Sequence, residues 1–182
     1  MLAIMSLNAV VNILKNNDGS LPDINFDFSG ARVAADAYGL VQARATALTS
    51  TSSYFWSKKL KAEIPISFGQ NPALDFLNGE AEAFHVVFGG LTSESGALIP
   101  DLGFFVLGAD FVALDYRMGP GWNSAAVEGL FDLMGALSKL SDCRITHTGN
   151  IFDPEGTILC SAFQNWFSAN HKFQRTPRGA AE

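Results

Sequence analysis

The chain has 182 residues, of which 48% are hydrophobic and 16% are charged, and this composition excludes an intrinsically disordered protein. No apolar run approaches the roughly 20 residues that cross a bilayer, and the N-terminal segment lacks the basic start and the small-residue cleavage site of a secretory signal. We therefore expect a cytoplasmic protein with a single domain over residues 1–171 and a flexible tail over residues 172–182.

The formal charge of −6 is distributed unevenly along the chain. Residues 1–70 hold six Lys/Arg and five Asp/Glu, whereas residues 71–171 hold three Lys/Arg and twelve Asp/Glu, a formal charge of −9. This acidic part argues against nucleic acid and anionic membranes as partners, because both are bound through basic patches. Two interpretations remain, a solvated acidic surface and an electrostatic match to a basic protein.

Two helices are predicted near the N-terminus. Residues 3–16 form the first, because four apolar residues recur at spacings of three and four and Gly19 follows the end. The second is predicted from an N-cap at Ser29 to about Leu48. Residues 20–28 between them are expected to be a connector with a short apolar alternation. The four apolar positions of the first helix are Ile4, Leu7, Val11 and Leu14.

Residues 59–68 alternate between apolar and polar side chains, which predicts a half-buried strand. Because proline donates no hydrogen bond to a neighbouring strand, this strand either lies at an edge of the sheet or ends at Pro65. A short helix is predicted between the Asn-Pro start at 71–72 and the Asn-Gly stop at 78–79. Further strands are predicted at 83–88, 103–107 and 111–117, and residues 89–102 are expected to be an exposed loop.

The two strands at 103–107 and 111–117 flank a three-residue connection that begins with glycine, which predicts an antiparallel hairpin. A helix capped by Asn123 or Ser124 follows, then a short strand at 144–148 and a final helix that starts at Asp153. Grouped strands joined by a tight hairpin predict an α+β fold. We expect a mainly antiparallel sheet of four to five strands, with helices on one face and a helical N-terminus.

No catalytic or metal-binding motif is present. The chain contains no HExxH, no CxxC, no calcium loop, no GxSxG and no phosphate loop, so we expect no catalytic residues, no metal and no cofactor. His85 and His147 are interpreted as hydrogen-bonded structural residues or loop residues, and Cys143 and Cys160 as reduced core residues. Six carboxylates fall in one third of the chain. They are interpreted either as helix caps and solvated groups or, for two of them, as an acid-base pair. The six are Asp110, Asp115, Glu128, Asp132, Asp142 and Asp153.

The segment DYRMGPGWN over residues 115–123 joins a strand to a helix. Val112, Leu114 and Tyr116 share one face of the strand, and the residues between them share the other. One interpretation is a corner that Trp122 fastens to the helix. The other is a partner-binding surface, because Tyr, Arg and Trp are enriched at binding hot spots. The predicted partner-binding residues are Asp115, Tyr116, Arg117 and Trp122.

A family resemblance rests on the succession DLGFFVL, VALDYRMGPGW, an amphipathic helix and a closing GNIFDPEG helix, over residues 84–167. This succession resembles small bacterial α+β proteins of the polymorphic-toxin immunity type. The resemblance implies a cytoplasmic protein that binds and occludes a cognate toxin without catalysing a reaction. It carries over no individual site residue.

Our leading hypothesis is a non-enzymatic protein-binding module whose acidic face complements a basic partner. The alternative is a small enzyme or small-ligand-binding protein with a pocket between sheet and helices, which would use scattered aspartates, His147 and Arg117. A third possibility is an assembly subunit, because the 15 Phe residues could supply the interface of a homo-oligomer.

Overall fold

The computed structural model describes residues 2–50 and 52–171, so the predicted tail at 172–182 lies outside the described residues. The elements follow the order α1 (Leu2–Lys15), β1 (Asp23–Asp27), α2 (Ala34–Arg44), β2 (Ala47–Leu48), β3 (Tyr54–Ser57), β4 (Ala62–Pro65), α3 (Ala73–Leu77), β5 (Phe84–Gly89), β6 (Leu91–Thr92), β7 (Leu98–Ile99), β8 (Leu102–Val106), β9 (Phe111–Tyr116), α4 (Ser124–Ser138), β10 (Arg144–His147) and α5 (Thr157–His171). None of the helices in these ranges is both long and apolar enough to span a bilayer.

The main sheet has six strands in the order β10-β1-β9-β8-β5-β2, and all its neighbouring pairs are antiparallel. Two separate hairpins, β3–β4 and β6–β7, complete the strands of the described residues. The predicted α+β class with a mainly antiparallel sheet and a helical N-terminus is confirmed. The sheet is one strand wider than the predicted maximum of five.

The helices pack on the face of the sheet that carries the large apolar side chains. Tyr38 of α2 is fully buried and meets three strand phenylalanines edge to face. Its ring centroid lies 6.0 Å from that of Phe84, 5.2 Å from that of Phe88 and 5.6 Å from that of Phe104. Such aromatic pairs add to the free energy that apolar burial provides. This cluster joins α2 to the centre of the sheet.

The segment expected to be a connector is instead β1, a strand with neighbours on both sides. Its Ile24 and Phe26 are fully buried, and it pairs with β9 and with β10. Its partners lie about 90 and 120 positions further along the chain, so no local signal reveals the pairing. The short apolar alternation in this segment comes from a strand that buries one of its two faces.

Three predicted boundaries are wrong for identifiable reasons. The second helix begins at Ala34, because Ser29 and Gly30 have φ of 53° and 88° and therefore cannot start a right-handed helix. It ends at Arg44, after which the backbone N–H groups of Thr46 and Thr49 donate to β5 carbonyls. The expected loop at 89–102 contains the β6–β7 hairpin, in which Leu91 is fully buried.

The predicted strand at 59–68 is also wrong as a single element. The structure forms a hairpin of β3 and β4, with a turn at 58–61. Lys61 has a φ of 51°, which breaks the extended run that the alternation suggested. Pro65 does lie at the end of an edge strand, where it pairs in register with Tyr54.

Candidate functional site

One face of the main sheet carries polar and half-buried side chains rather than helices. We call it the open face, and on the four central strands it consists of the alternate side chains that point away from the helices. Its rows are Asp23, Asn25 and Asp27 on β1, Phe111, Ala113 and Asp115 on β9, Gly103 and Phe105 on β8, and His85 and Val87 on β5. Because side chains alternate along a strand, the large buried apolar residues of the same strands point to the helices, and Ala113 is the small apolar residue that is buried on the open face.

His85 and Asp115 meet across an intervening strand. His85 lies on β5 and Asp115 on β9, and β8 separates these strands. The His85 Nε2 atom nevertheless lies 3.2 Å from Asp115 Oδ1. Gly103 of β8 is the register partner of Asp115, and a Cβ atom at Gly103 would stand 1.4 Å from Asp115 Oδ1 and 2.3 Å from His85 Nε2. The glycine therefore makes room for the pair.

The pair is partly removed from water. The side chain of Asp115 is 13% exposed and that of His85 is 34% exposed. The His85 ring stacks on Phe105 with centroids 4.0 Å apart and planes inclined by 22°. Low exposure strengthens a charge-assisted hydrogen bond, so the stacked and bonded His85 holds the Asp115 carboxylate in place.

A second carboxylate stands beside the pair. Asp23 of β1 is the direct cross-strand partner of Asp115. Burial raises the pKa of Asp23, and the negative charge of Asp115 raises it further, while His85 acts in the opposite direction. Like charges directly opposite each other destabilise a sheet. A cation bound here would therefore relieve a repulsion that the fold itself creates.

A pocket of about 730 Å³ opens beside these residues. Its polar lining includes Asp101, His85 and Asp115, and Arg117 stands with them at the pocket. Its apolar lining comes from the loop before β1, from β5 and from the turns flanking β8 and α4. The apolar residues include Leu21, Val87, Pro100 and Pro120, and the corner adds Tyr116, Met118 and Trp122. A concave site with apolar walls and a few convergent polar groups is the usual form of a binding site.

The structure divides the four predicted partner-binding residues. Tyr116 is 1% exposed and Trp122 is fully buried. Their rings pack edge to face with centroids 5.6 Å apart, and the Trp122 indole N–H donates to the Arg117 carbonyl at 2.9 Å. Both side chains thus fasten the strand-to-helix corner. Asp115 and Arg117 are more accessible, and all four residues line the pocket, so partner binding stays a prediction for the whole set.

The predicted cluster of six carboxylates is not brought together. Asp132 pairs with Arg44 at 2.7 Å, and the Asp153 carboxylate accepts three backbone N–H bonds at the start of α5. Glu128 and Asp142 are exposed. Of the six, Asp115 is the one that lines the pocket.

The alternative site between sheet and helices is not supported by the position of His147. That residue is buried and bonded to Tyr116, and it is not among the residues that line the 730 Å³ pocket. Cys143 and Cys160 are free thiols, and burial raises the pKa of both, that of Cys143 to about 11. Within the described ranges no three His, Cys, Asp or Glu residues are placed to hold a metal ion.

Sequence reasoning missed Asp23, Asp101 and Gly103. A signal for Gly103 was available, because the predicted hairpin around Gly108 fixes the register of its two strands and places Gly103 opposite Asp115. No such signal existed for Asp23, whose strand was not predicted.

No family model and no curated protein matches this chain. The chain is similar to one in the 1.75 Å crystal structure of the toxic C-terminal tip of CdiA from Pseudomonas aeruginosa in complex with immune protein. The alignment covers 70% of this chain and 86% of that chain, with a TM-score of 0.44 and 16% sequence identity.

Proposed function

We propose that this protein is a non-enzymatic protein-binding module of the immunity type, which occludes a basic partner in the cytoplasm with the open face of its sheet. The observation that carries the proposal is the placement of Asp23 and Asp115 side by side on that face, next to a pocket that also holds Asp101. The free thiols of Cys143 and Cys160 support a reducing compartment.

The open face carries more carboxylates than cations, which is the excess of negative charge that a basic partner would complement. Arg144 forms an ion pair with Asp27 at 3.2 Å, which neutralises the outer end of β1. Asp115 has only His85 as its partner in the ion pairs of the described residues, and Asp23 has none. Complementary potentials raise the association rate of two proteins and make it sensitive to salt. Partly buried carboxylates without a permanent cation suit that role.

Photo-crosslinking in the source cell tests the proposal. A benzoylphenylalanine is placed at Phe105 in the middle of the open face, and in a matched variant at Gln164, an exposed position on α5. We expect position 105 to capture one basic protein and position 164 to capture nothing in common with it. Equal capture at both positions, or capture of an acidic protein at 105, would contradict the proposal.

The charge dependence is measured once that partner is purified. The double variant Asp23→Asn with Asp115→Asn should slow association at low salt, and the difference from the wild type should shrink as the salt concentration rises. The control is Glu128→Gln with Glu155→Gln, which removes two exposed carboxylates, one on α4 and one in the turn before α5. Equal slowing by both double variants would show that total charge, and not the open face, steers the partner.

One observation favours a second candidate, an enzyme. A histidine that is held by a carboxylate beside a pocket is the arrangement of a general base with its orienting residue, and His85 with Asp115 has that geometry. An activity on ester or phosphoester substrates that disappears in His85→Gln, while the variant keeps the wild-type unfolding midpoint, would support this candidate over the binding module.

A further inference from the structure

The two carboxylates of the pocket each lie over a glycine of a neighbouring strand. The register of β5 and β8, which pairs Phe88 with Leu102, continues to bring Gly89 opposite Asp101. A Cβ at Gly89 would stand 3.1 Å from Asp101 Oδ1, and its nearest neighbour would be Thr49 Cγ2 at 2.3 Å. Asp115 lies over Gly103 more closely, with its Oδ1 1.4 Å from a Cβ built there. Because Gly103 has no side chain, the Asp115 carboxylate folds over the sheet, and the backbone of Gly103 lines the pocket.

The balance of charge in the pocket is negative. Asp101 and Asp115 contribute two negative charges and Arg117 one positive charge, while His85 and the uncharged Tyr116 complete the set of titratable groups in the lining. Asp23 adds a further carboxylate next to Asp115. Arg117 and Asp101 are both exposed, and among the described residues Arg117 forms no ion pair. A cationic ligand is therefore favoured over an anionic one.

The volume and the apolar lining of the pocket indicate which kind of cationic group it can bind. The lining carries Leu21, Val87, Pro100 and Pro120 beside the acids, and a volume of about 730 Å³ lies well within the range of ligand pockets. An arginine side chain offers an apolar stem for such walls and a planar guanidinium that binds carboxylates through two parallel N–H groups. Lysine carries a compact, strongly hydrated charge and cannot bind a carboxylate through two parallel N–H groups, so it fits the apolar walls and the carboxylates less well.

We propose that this pocket receives one arginine side chain of the basic partner protein, with its guanidinium group between Asp101 and Asp115. This inference rests on the proposed function and names the contact through which it acts. Arg117, which also lines the pocket, has the same charge as the incoming arginine. Its repulsion therefore lowers the affinity of the pocket for that side chain. The carboxylate of Asp115 is already held by His85, which lowers the loss of freedom on binding.

A small-molecule titration tests the pocket without knowledge of the partner. The isotope-labelled full chain is titrated with N-acetyl-arginine amide and followed by NMR. The neutral isostere N-acetyl-citrulline amide serves as the control ligand. We expect saturable shifts at Gly89, Gly103 and His85 with the arginine probe and no saturation with citrulline. Equal binding of both probes, no saturable shift, or shifts centred elsewhere would overturn the inference.

Variants separate charge from shape. Asp101→Asn and Asp115→Asn should each weaken binding of the arginine probe at least about tenfold, because each removes a charge-assisted bond, and Arg117→Ala should strengthen it. Gly103→Ala keeps every charge but displaces both the Asp115 carboxylate and the His85 ring, so it should also weaken binding. Gly39→Ala, whose Cβ would meet only Asn71 Nδ2 at 3.7 Å, is the matched control and should bind as the wild type does.

The two proposals fail in different ways. If position 105 captures a basic partner but the arginine probe does not bind in the pocket, the open face is the interface and the arginine contact is wrong. If the probe binds and position 105 captures no basic protein, the pocket is a guanidinium site and the protein-binding module is wrong. An unchanged affinity in Gly103→Ala would by itself exclude Asp115 as the group that holds the cation.

Discussion

The hydroxyl oxygen of Tyr116 lies 2.7 Å from Nε2 of His147 in the buried layer between the sheet and α5. The Gly149 backbone N–H donates to the other ring nitrogen of His147, Nδ1, at 3.1 Å. Because Nδ1 accepts, the proton of the neutral ring is on Nε2, which donates to the Tyr116 oxygen. Protonation of Nδ1 would place its N–H against the Gly149 N–H, and because both groups are donors the hydrogen bond between them would be lost.

This arrangement predicts that the protein loses stability in mild acid. Burial lowers the pKa of His147 below its ordinary value of 6.5, with a smaller opposing effect from Asp153. The contribution of neutral His147 is therefore complete above pH 6.5 and is lost as the pH falls from there towards the folded-state pKa. We expect the free energy of unfolding in urea to fall more between pH 7.5 and 5.5 for the wild type than for His147→Gln. Parallel losses would contradict the assignment, because His85 and His171 are present in both proteins.

A second prediction concerns the hydroxyl of Tyr38. This group is buried among phenylalanine rings and, within the described residues, has no hydrogen-bond partner. Burial also raises the pKa of Tyr38 to about 12. Because an unsatisfied buried polar group carries a desolvation penalty of about 1–3 kcal/mol, Tyr38→Phe should unfold at an equal or higher urea concentration than the wild type.

Tyr116→Phe is the matched control for that substitution. It removes a tyrosine hydroxyl of similar burial, but one that is bonded to His147. It leaves the histidine Nε2–H without its acceptor, so it should lower the free energy of unfolding by about 1–3 kcal/mol. If both variants were destabilised equally, Tyr38 would have a partner in solution.

The local parts of this fold could be predicted from the sequence, and the long-range parts could not. The β8–β9 hairpin was predicted from the glycine-led connection at 108–110, and the structure joins the two strands through residues 107–110. The cap of α4 depends on Asn123, whose side chain accepts from the Ala126 N–H at 2.9 Å. Both signals lie within a few residues. β1 has no local signal of comparable strength, because its hydrogen-bond partners are distant in sequence.

The candidate site shows the same division. The alternation of β9 correctly placed Asp115 on the face opposite Leu114 and Tyr116. That same alternation put Tyr116 on the core side of the strand, whereas its residue type alone made it a candidate for partner binding. The pocket itself forms where β5, β8 and the 117–122 corner meet, and their juxtaposition follows from the strand order.

Trp122 is predicted to act through stability. It is fully buried, packs on Tyr116 and donates its indole N–H to the backbone, so Trp122→Ala should lower the free energy of unfolding by about 3–5 kcal/mol. Arg117→Ala removes an exposed side chain and should change it by no more than about 0.5 kcal/mol. Chemical denaturation of both variants measures the contrast, and comparable losses would contradict the corner interpretation.

The start of α5 gives the last prediction. Asp153 lies four residues before Thr157, where the helix begins, rather than at its first turn as the Asp-Pro-Glu sequence suggested, because Gly156 has a φ of 65°. Its carboxylate still reaches the N–H groups of Thr157, Ile158 and Leu159 at 3.1, 3.0 and 3.3 Å. Asp153 is 3% exposed, so water cannot replace these bonds. We expect Asp153→Ala to destabilise the protein by about 2 kcal/mol, at the upper end for a helix cap, and the exposed neighbour change Glu155→Ala to have an effect several times smaller. Thermal unfolding followed by circular dichroism compares the two variants, and equal shifts in Tm would mean that the three N–H groups find other acceptors when the carboxylate is removed.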